Sequence, residues 1–461
     1  MLVLNDIQSQ LNATEVREVI RPASAQEASE VIRRSVAKKQ QISIAGGRHS
    51  MGGQQFGTGT TSIDTRDLSG VIGLNVEDST VEVQAGITWP SLVSWLKNNQ
   101  DENEGSLTII QKQTGADDMT IGGALSSNVH GRGLNYQPIV QDVESFTLLD
   151  PSGETMVCSR DQNHEIFRLG IGGYGLFGLI HTVTLRLHPR HKLMREVKVV
   201  EVDDVMPSFE QRIYEGHLYG DFQYMTDEKS DGFLRKGILS CYRPVGFSTP
   251  IPENQLGLTV DDWMNLYYLA HVDKKEAYDR YVHHYLQSNE QIYWSDDFQF
   301  SPYLSNAGEL LHQRLGAKEF ASLMITELYV PRSKFVDFME SIRRDLLDLG
   351  ADVIYGTVRL IKKENETFLT WAKGDFACII LNLRVVHTDQ GISRAKEQFQ
   401  MLIDHALSYD GLYYLTYHRW ARKDQLLSAY PQMPEFLKQK RQFDPEETFQ
   451  NEWYRYYKGI L

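Results

Sequence analysis

An α+β fold follows from three features of the sequence: many short apolar–polar alternations, helical patterns scattered between them, and glycine gathered into blocks. The blocks run from Gly46 to Gly73, Gly115 to Gly133 and Gly170 to Gly178. Ser24-Ala-Gln-Glu27 has the form of a capping box, in which hydroxyl and carboxylate take up amides left over at a helix start. Ala28, Val31, Ile32 and Val36 continue it at helical spacing. Gln41 to Ala45 reads as a strand entering the first glycine block. Period-two patterns follow at Thr61 to Asp64, Val71 to Leu74 and Val81 to Ala85, with Glu77-Asp-Ser-Thr80 as the turn between the last two. Trp89-Pro90 opens a helix carrying Leu92, Trp95 and Leu96 on one face, since a first turn tolerates proline. Val143 to Leu149 and Thr155 to Cys158 flank an Asp150-Pro-Ser-Gly153 turn and form a hairpin. Leu179 to Leu187 alternates, with Leu179, His181, Val183, Leu185 and Leu187 on one side.

Beyond about residue 195 charge and aromatic content rise and helical patterns lengthen, as at Tyr278 to Leu286 and Phe335 to Leu349. Strand patterns at Ala321 to Val330, Asp352 to Ile361 and Phe376 to Val386 describe a mixed sheet covered by those helices. Phe222 to Asp227 is also strand-like, and Tyr224 and Tyr242 are candidates to line a cleft.

Composition narrows the function classes. A chain of 461 residues has room for roughly two to four domains. Forty-seven Lys and Arg against 61 Asp and Glu leave a net charge of −14, a poor match for a phosphate backbone, so nucleic acid is not the expected partner. No apolar run approaches a membrane span, and Met1-Leu-Val-Leu-Asn-Asp has no basic start to a signal peptide. Cys158, Cys241 and Cys378 offer neither a disulfide framework nor zinc spacing, and His283-His284 has no companion ligand, so no metal is expected. The expectation is a cytoplasmic enzyme-sized protein.

Local motifs carry the chemistry. Ile44-Ala-Gly-Gly-Arg-His-Ser-Met-Gly-Gly-Gln54 follows a strand, and its small residues let backbone amides converge on an anion such as a pyrophosphate. By itself it is equally a tight turn with an exposed histidine. Thr114-Gly-Ala-Asp-Asp-Met-Thr-Ile-Gly-Gly-Ala-Leu-Ser-Ser-Asn-Val-His-Gly-Arg-Gly133 adds hydroxyls at Thr120, Ser126 and Ser127, a Gly-Gly step and His130-Gly131. That combination suits a large planar ligand with many acceptors, or equally a glycine-rich helix start. Gly170-Ile-Gly-Gly-Tyr-Gly175 fits a dinucleotide string, but a helix precedes it and a strand follows, the reverse of what a Rossmann site needs.

In this order, and with Gly175-Leu-Phe-Gly178 before a strand and Tyr430-Pro431, Phe443-Asp444-Pro445 and Phe449-Gln-Asn451 near the end, the chain resembles the FAD-linked oxidases of the vanillyl-alcohol oxidase type. That family includes sugar-lactone and polyol oxidases, cytokinin dehydrogenase and the decaprenyl-phosphoryl-ribose oxidases. The resemblance implies a PCMH-type FAD-binding domain of two α+β subdomains over residues 1–195. It further implies a substrate domain with a mixed or antiparallel sheet under helices over 196–415, and a segment returning to the FAD-binding domain over 416–461. The cofactor would be held by Ala45, Gly46, Gly47, Arg48, His49, Ser50 and Gln54 in the first block. Thr114, Gly115, Asp118, Thr120, Gly122, Gly123, Ser126, Ser127, His130 and Gly131 would hold it from the second, and Gly178, Ile180 and Asn451 from further along.

In covalent members the histidine of the first block is bonded to the flavin 8α-carbon, which implies FAD linked through His49. Arg48 departs from the glycine common there, and Asp117 and Asp118 stand where doubly linked members carry a cysteine, so a second link is not expected. Thr357-Val-Arg359 occupies a place like the Glu-x-Arg of polyol oxidases, with threonine for the carboxylate. Tyr417-His-Arg-Trp-Ala-Arg-Lys423 resembles a His-Trp-Gly/Ala-Lys segment with the register moved by one. Catalytic roles for Arg359, His418 and Arg422 are thereby implied. The expected reaction is hydride transfer from an alcohol carbon of a sugar, lactone or polyol to flavin N5, with molecular oxygen as acceptor. A dehydrogenase serving a quinone or cytochrome, an oxidase of a lipid-linked sugar and a flavin-binding protein without turnover remain open.

Overall fold

The computed structural model describes residues 2–301 and 307–461. Its first unit is built on three parallel strands, with Thr61–Asp64 between Glu18–Ile20 and Ile42–Ala45. The helix Ala25–Ala37 starts where Ser24 Oγ accepts the Glu27 amide at 3.1 Å. The Glu27 carboxylate reaches the amide of Ala23, one residue outside a strict box. Ala28, Val31 and Ile32 are buried against Ile42, Ile63, Leu149 and Leu179, whereas Val36 stays exposed.

The second unit is an antiparallel sheet ordered Thr155–Ser159, Val143–Leu149, Leu179–Pro189, Thr80–Gln84, Val71–Asn75, with Leu107–Ile109 paired to the far end of Leu179–Pro189. The alternation expected of Leu179 to Leu187 breaks at His181. A register shift between Ile180 and Thr182 leaves His181 half-buried and buries both Thr182 and Val183. The helix His164–Gly170 precedes the third glycine block and a strand follows it, so no strand-to-helix phosphate turn exists there.

An eight-stranded sheet takes over at Lys192. Its order is Ile292–Trp294, Lys192–Glu201, Lys236–Val245, Tyr219–Tyr224, Val353–Ile361, Phe376–Val386, Ala321–Pro331, Leu412–Tyr413. Every pairing described in it is antiparallel. Helices Phe335–Asp348 and Asp389–Ser408 bury apolar stripes against one face of this sheet. Tyr224 belongs to that core, donating to the Ile380 carbonyl, and Tyr242 packs on Phe298, so neither lines a cleft.

The other face meets the glycine-rich domain. Leu134 donates to the Leu218 carbonyl, Gly220 to that of Arg132, and the Tyr219 hydroxyl to that of Ile110. Past residue 413 the chain turns back: Gln54 Nε2 donates to the carbonyls of Leu415 and Thr416, and Phe449 forms a parallel bridge with Ile42. Asn451 caps the helix Glu452–Ile460 and donates to the Tyr174 carbonyl. The last segment is therefore stitched to the first glycine block.

Candidate active site

The two glycine blocks meet across a cleft of about 700 Å³, a volume that includes its open mouth. Contact between the blocks demands glycine: a Cβ on Gly46 would lie 2.2 Å from Thr120 Oγ1, and one on Gly47 2.7 Å from the Asp118 carbonyl oxygen. Gly46, Gly47, Arg48, His49, Ser50 and Gln54 line one wall, Gly122, Gly123, Ser126 and Ser127 the opposite one, and Gly178 and Ile180 the floor. Tyr174, Gly175, Thr65, Ala85 and Met119 also line it and were not anticipated from sequence.

Other expected contacts act from behind the lining. Thr120 caps the helix Ile121–Ser127 by accepting the Gly123 amide, and Ala45 accepts from Thr65 Oγ1. Thr114, Gly115 and Asp118 sit in the loop before that helix, and Asn451 positions Tyr174. His130 and Gly131 lie beyond the helix and face the large sheet.

Arg48 has φ +61°, a left-handed conformation that glycine adopts freely, which accounts for the residue type expected there. Its Nε is buried without an acceptor where Arg48 lines the cleft. An orphaned guanidinium nitrogen beside close-approach glycines fits an anionic, acceptor-rich cofactor. His49 is 7% exposed, and burial, then the Arg48 charge, push it down to about 4. Its Nδ1 lies 3.1 Å from the Gln8 amide nitrogen, which can only donate, so the ring is neutral and accepts there.

A second constellation lies where the cleft meets the sheet. Tyr174 and Ser127, both in the cleft lining, contact Thr416 Oγ1 and the Tyr414 hydroxyl. Tyr417, close beyond, donates to Glu327 Oε1 at 2.9 Å, while Glu327 Oε2 takes the Tyr329 hydroxyl at 2.8 Å and faces His130 Nε2 at 3.1 Å. His130 Nδ1 is 2.9 Å from the Gly131 carbonyl, an acceptor only, so Nδ1 carries a proton. Burial alone would raise Glu327. The His130 charge, hydrogen bonds from His130 and Tyr329, and the Arg359 charge overcome it and hold the carboxylate below its usual range. Cys378 Sγ is 3.8 Å from His130 Nε2. A His–Glu–Cys trio could in principle take a cation, but two phenols already occupy the carboxylate, and a proton-holding network is the simpler chemistry.

The same sheet face carries Asp221, Tyr355, Thr357 and Arg359, set in line by the pairings Phe222–Val358, Arg359–Cys378 and Cys378–Tyr329. Tyr355 keeps 38% of its surface exposed on this face. Arg359 is buried on this face. His418 and Arg422 are not. His418 packs between Phe399, Tyr413 and Trp420 with Nε2 3.5 Å from Thr326 Oγ1, on the helix-covered side, and burial pushes it down to about 3. Arg422 lies on the surface, paired with Asp404 and Asp424. Tyr417, next to His418 in the chain, faces Glu327 instead, so the two neighbours lie on opposite sides of the sheet. Glu327 and Tyr329 carried no motif at all.

Comparison with known proteins agrees with this geometry. Residues 16–159 match the family described as FAD binding domain. The chain is 28% identical over 181 residues to L-galactono-1,4-lactone dehydrogenase 1, mitochondrial, of Oryza sativa subsp. japonica, covering 39% of this chain and 29% of that protein. It is 25% identical over 198 residues to L-gulonolactone oxidase of Bos taurus, 43% of each chain. Cytokinin dehydrogenase 4 of Oryza sativa subsp. japonica is 28% identical over 141 residues, 27% of this chain and 23% of that one. The chain thus carries a PCMH-type FAD-binding domain, with homologues among sugar-lactone oxidases and dehydrogenases and cytokinin dehydrogenases. The matched segments span less than half the length of each of these relatives. No helix among the described residues is long and apolar enough to cross a membrane.

Proposed function

We propose that the protein is an FAD-dependent oxidoreductase that oxidises an alcohol carbon of a small polar substrate held in the recess between the flavin cleft and the large sheet. The observation that carries this reading is the Tyr417–Glu327–His130 network at the junction of cleft and sheet. FAD, when bound, supplies the hydride acceptor. The chain supplies the rest. As the substrate C–H bond gives up its hydride, the hydroxyl proton passes to the Tyr417 oxygen while Tyr417 hands its own proton to Glu327 Oε1. His130, close on the other carboxylate oxygen, favours the ionised acceptor beforehand. The product is the carbonyl compound, and the proton leaves through the network. Arg359 anchors the substrate within the same face.

The neutral His49 ring, held by Gln8, supports a single bond from this residue to the flavin, because only an uncharged imidazole is a nucleophile. Oxygen is the proposed acceptor, and the buried, unbridged Cys158, Cys241 and Cys378 suit a reducing compartment such as the cytoplasm. An anaerobic screen of alcohols, sugars and lactones tests the reading: at least one compound bleaches the flavin, and air restores the colour. A flavin that no compound bleaches contradicts turnover, and a bleached flavin that air does not restore contradicts oxygen as acceptor.

A further inference from the structure

One buried cation on the recess face has no ion-pair partner within 4 Å among the described residues, although its charge helps to hold Glu327 ionised. Arg359 is 6% exposed, its Nε is buried without an acceptor, and no carboxylate among the described residues pairs with it. The nearby acids have closer partners than Arg359. Glu327 is engaged by His130, Tyr329 and Tyr417. Asp221 lies 3.8 Å from Arg132 and accepts from Gln223 and Thr357 through Oδ2, with Oδ1 left without a hydrogen bond, and Asp117 pairs with Lys112 at 2.5 Å. Two residues before Arg359, on the same side of the strand, stands Thr357, whose hydroxyl donates to the Phe222 carbonyl. A carboxylate there could have neutralised the guanidinium; a threonine cannot. Lys112 and Arg132 add further positive charge to this region. A buried guanidinium N–H without an acceptor is unfavourable, and a ligand oxygen there would complete it.

We propose that the substrate is a hydroxy acid whose carboxylate is taken by the Arg359 guanidinium while its reacting alcohol lies toward Tyr417 and Glu327. This rests on the oxidoreductase reading above and narrows it from neutral polyols and lactones to acids. The guanidinium offers parallel N–H donors that match a carboxylate edge. Arg359 and Glu327 stand on strands either side of Phe376–Val386, two strands across and two residues along, about 12 Å between Cα atoms, with both side chains on the same face.

Calorimetric titration of the purified holoprotein with matched pairs tests it: D-gluconate against D-glucitol, and glycerate against glycerol. At least one acid binds at least about tenfold more tightly than its neutral partner. Arg359→Gln abolishes that advantage, and Arg359→Lys retains part of it. Equal or tighter binding of the neutral partner in both pairs overturns the proposal in the wild-type protein alone, whether or not the variants fold. An Arg359→Gln protein that binds the acid as wild type does, with an altered flavin spectrum, overturns it in favour of a role toward the flavin ring. A colourless protein instead defeats the oxidoreductase reading, while the heats of acid and alcohol binding still decide the role of Arg359.

Discussion

Glu327 is the residue on which the proposed chemistry turns, because it is the acid that Tyr417 and His130 both address. Glu327→Gln keeps the shape and removes the proton acceptor. The expected result is a fall in the rate of anaerobic flavin reduction of at least about 100-fold with the visible spectrum unchanged; stopped-flow absorbance measures it, and a near wild-type rate removes Glu327 from the reaction. His418 makes the opposite prediction. It fills an aromatic niche behind the sheet, so His418→Ala lowers stability by about 1–3 kcal/mol and leaves turnover per folded molecule close to wild type. Urea titration and initial rates separate the two effects. The sequence does not distinguish these neighbours. Tyr417 and His418 are adjacent, and which one faces the recess depends on a backbone course that residue types do not record.

Among the elements, the C-terminal turn holds the first glycine block in place. Lys440 and Asp444 form an ion pair with both side chains fully buried, and Asp444 also accepts the amides of Thr448 and Phe449 at 2.9 Å each. Phe449 then bridges to Ile42, at the root of the strand that feeds Gly46 and His49. Asp444→Ala strands the Lys440 ammonium without an anion, and the expected cost is about 3–5 kcal/mol, read from chemical denaturation. A loss below 1 kcal/mol contradicts a structural role for the pair. The Phe443-Asp444-Pro445 motif was legible as a closing segment through its family resemblance, and its contacts are local in the chain. The strands at 61–64, 143–149, 321–331, 353–361 and 376–386 were legible through apolar runs or alternation over several residues. Ile292–Trp294 and Leu412–Tyr413 were not, since so few residues display no period. His181 was misassigned because a bulge changes the side a residue faces without changing the composition around it.

In the whole molecule, burial sets the response to acid. His49 and His188 titrate near 4 and His418 near 3 in the folded chain, chiefly through burial, against about 6.5 when unfolded. As pH falls from 6.5 towards 4 the unfolded chain takes up protons that the folded chain refuses, so stability falls over that window. Asp142, raised by burial to about 7, works in the opposite sense, but one acid stands against three histidines. The melting temperature is therefore expected to drop between pH 7 and pH 5 in scanning calorimetry; a flat or rising profile contradicts the buried, neutral histidines. The cofactor cleft was largely readable because its walls come from two continuous glycine blocks. The recess was not, because Tyr417, Glu327, His130 and Arg359 come from four separated segments that only sheet register and domain packing bring together. The central claim is that the cleft between those blocks holds FAD through one bond to His49. Denaturing electrophoresis of wild type and His49→Ala under blue-light fluorescence tests it most directly. Yellow-green emission migrating with the wild-type polypeptide and absent from the His49→Ala band is the predicted result; flavin running free of the wild-type polypeptide contradicts the bond, and a sample with no flavin, bound or released, contradicts the cleft as an FAD site.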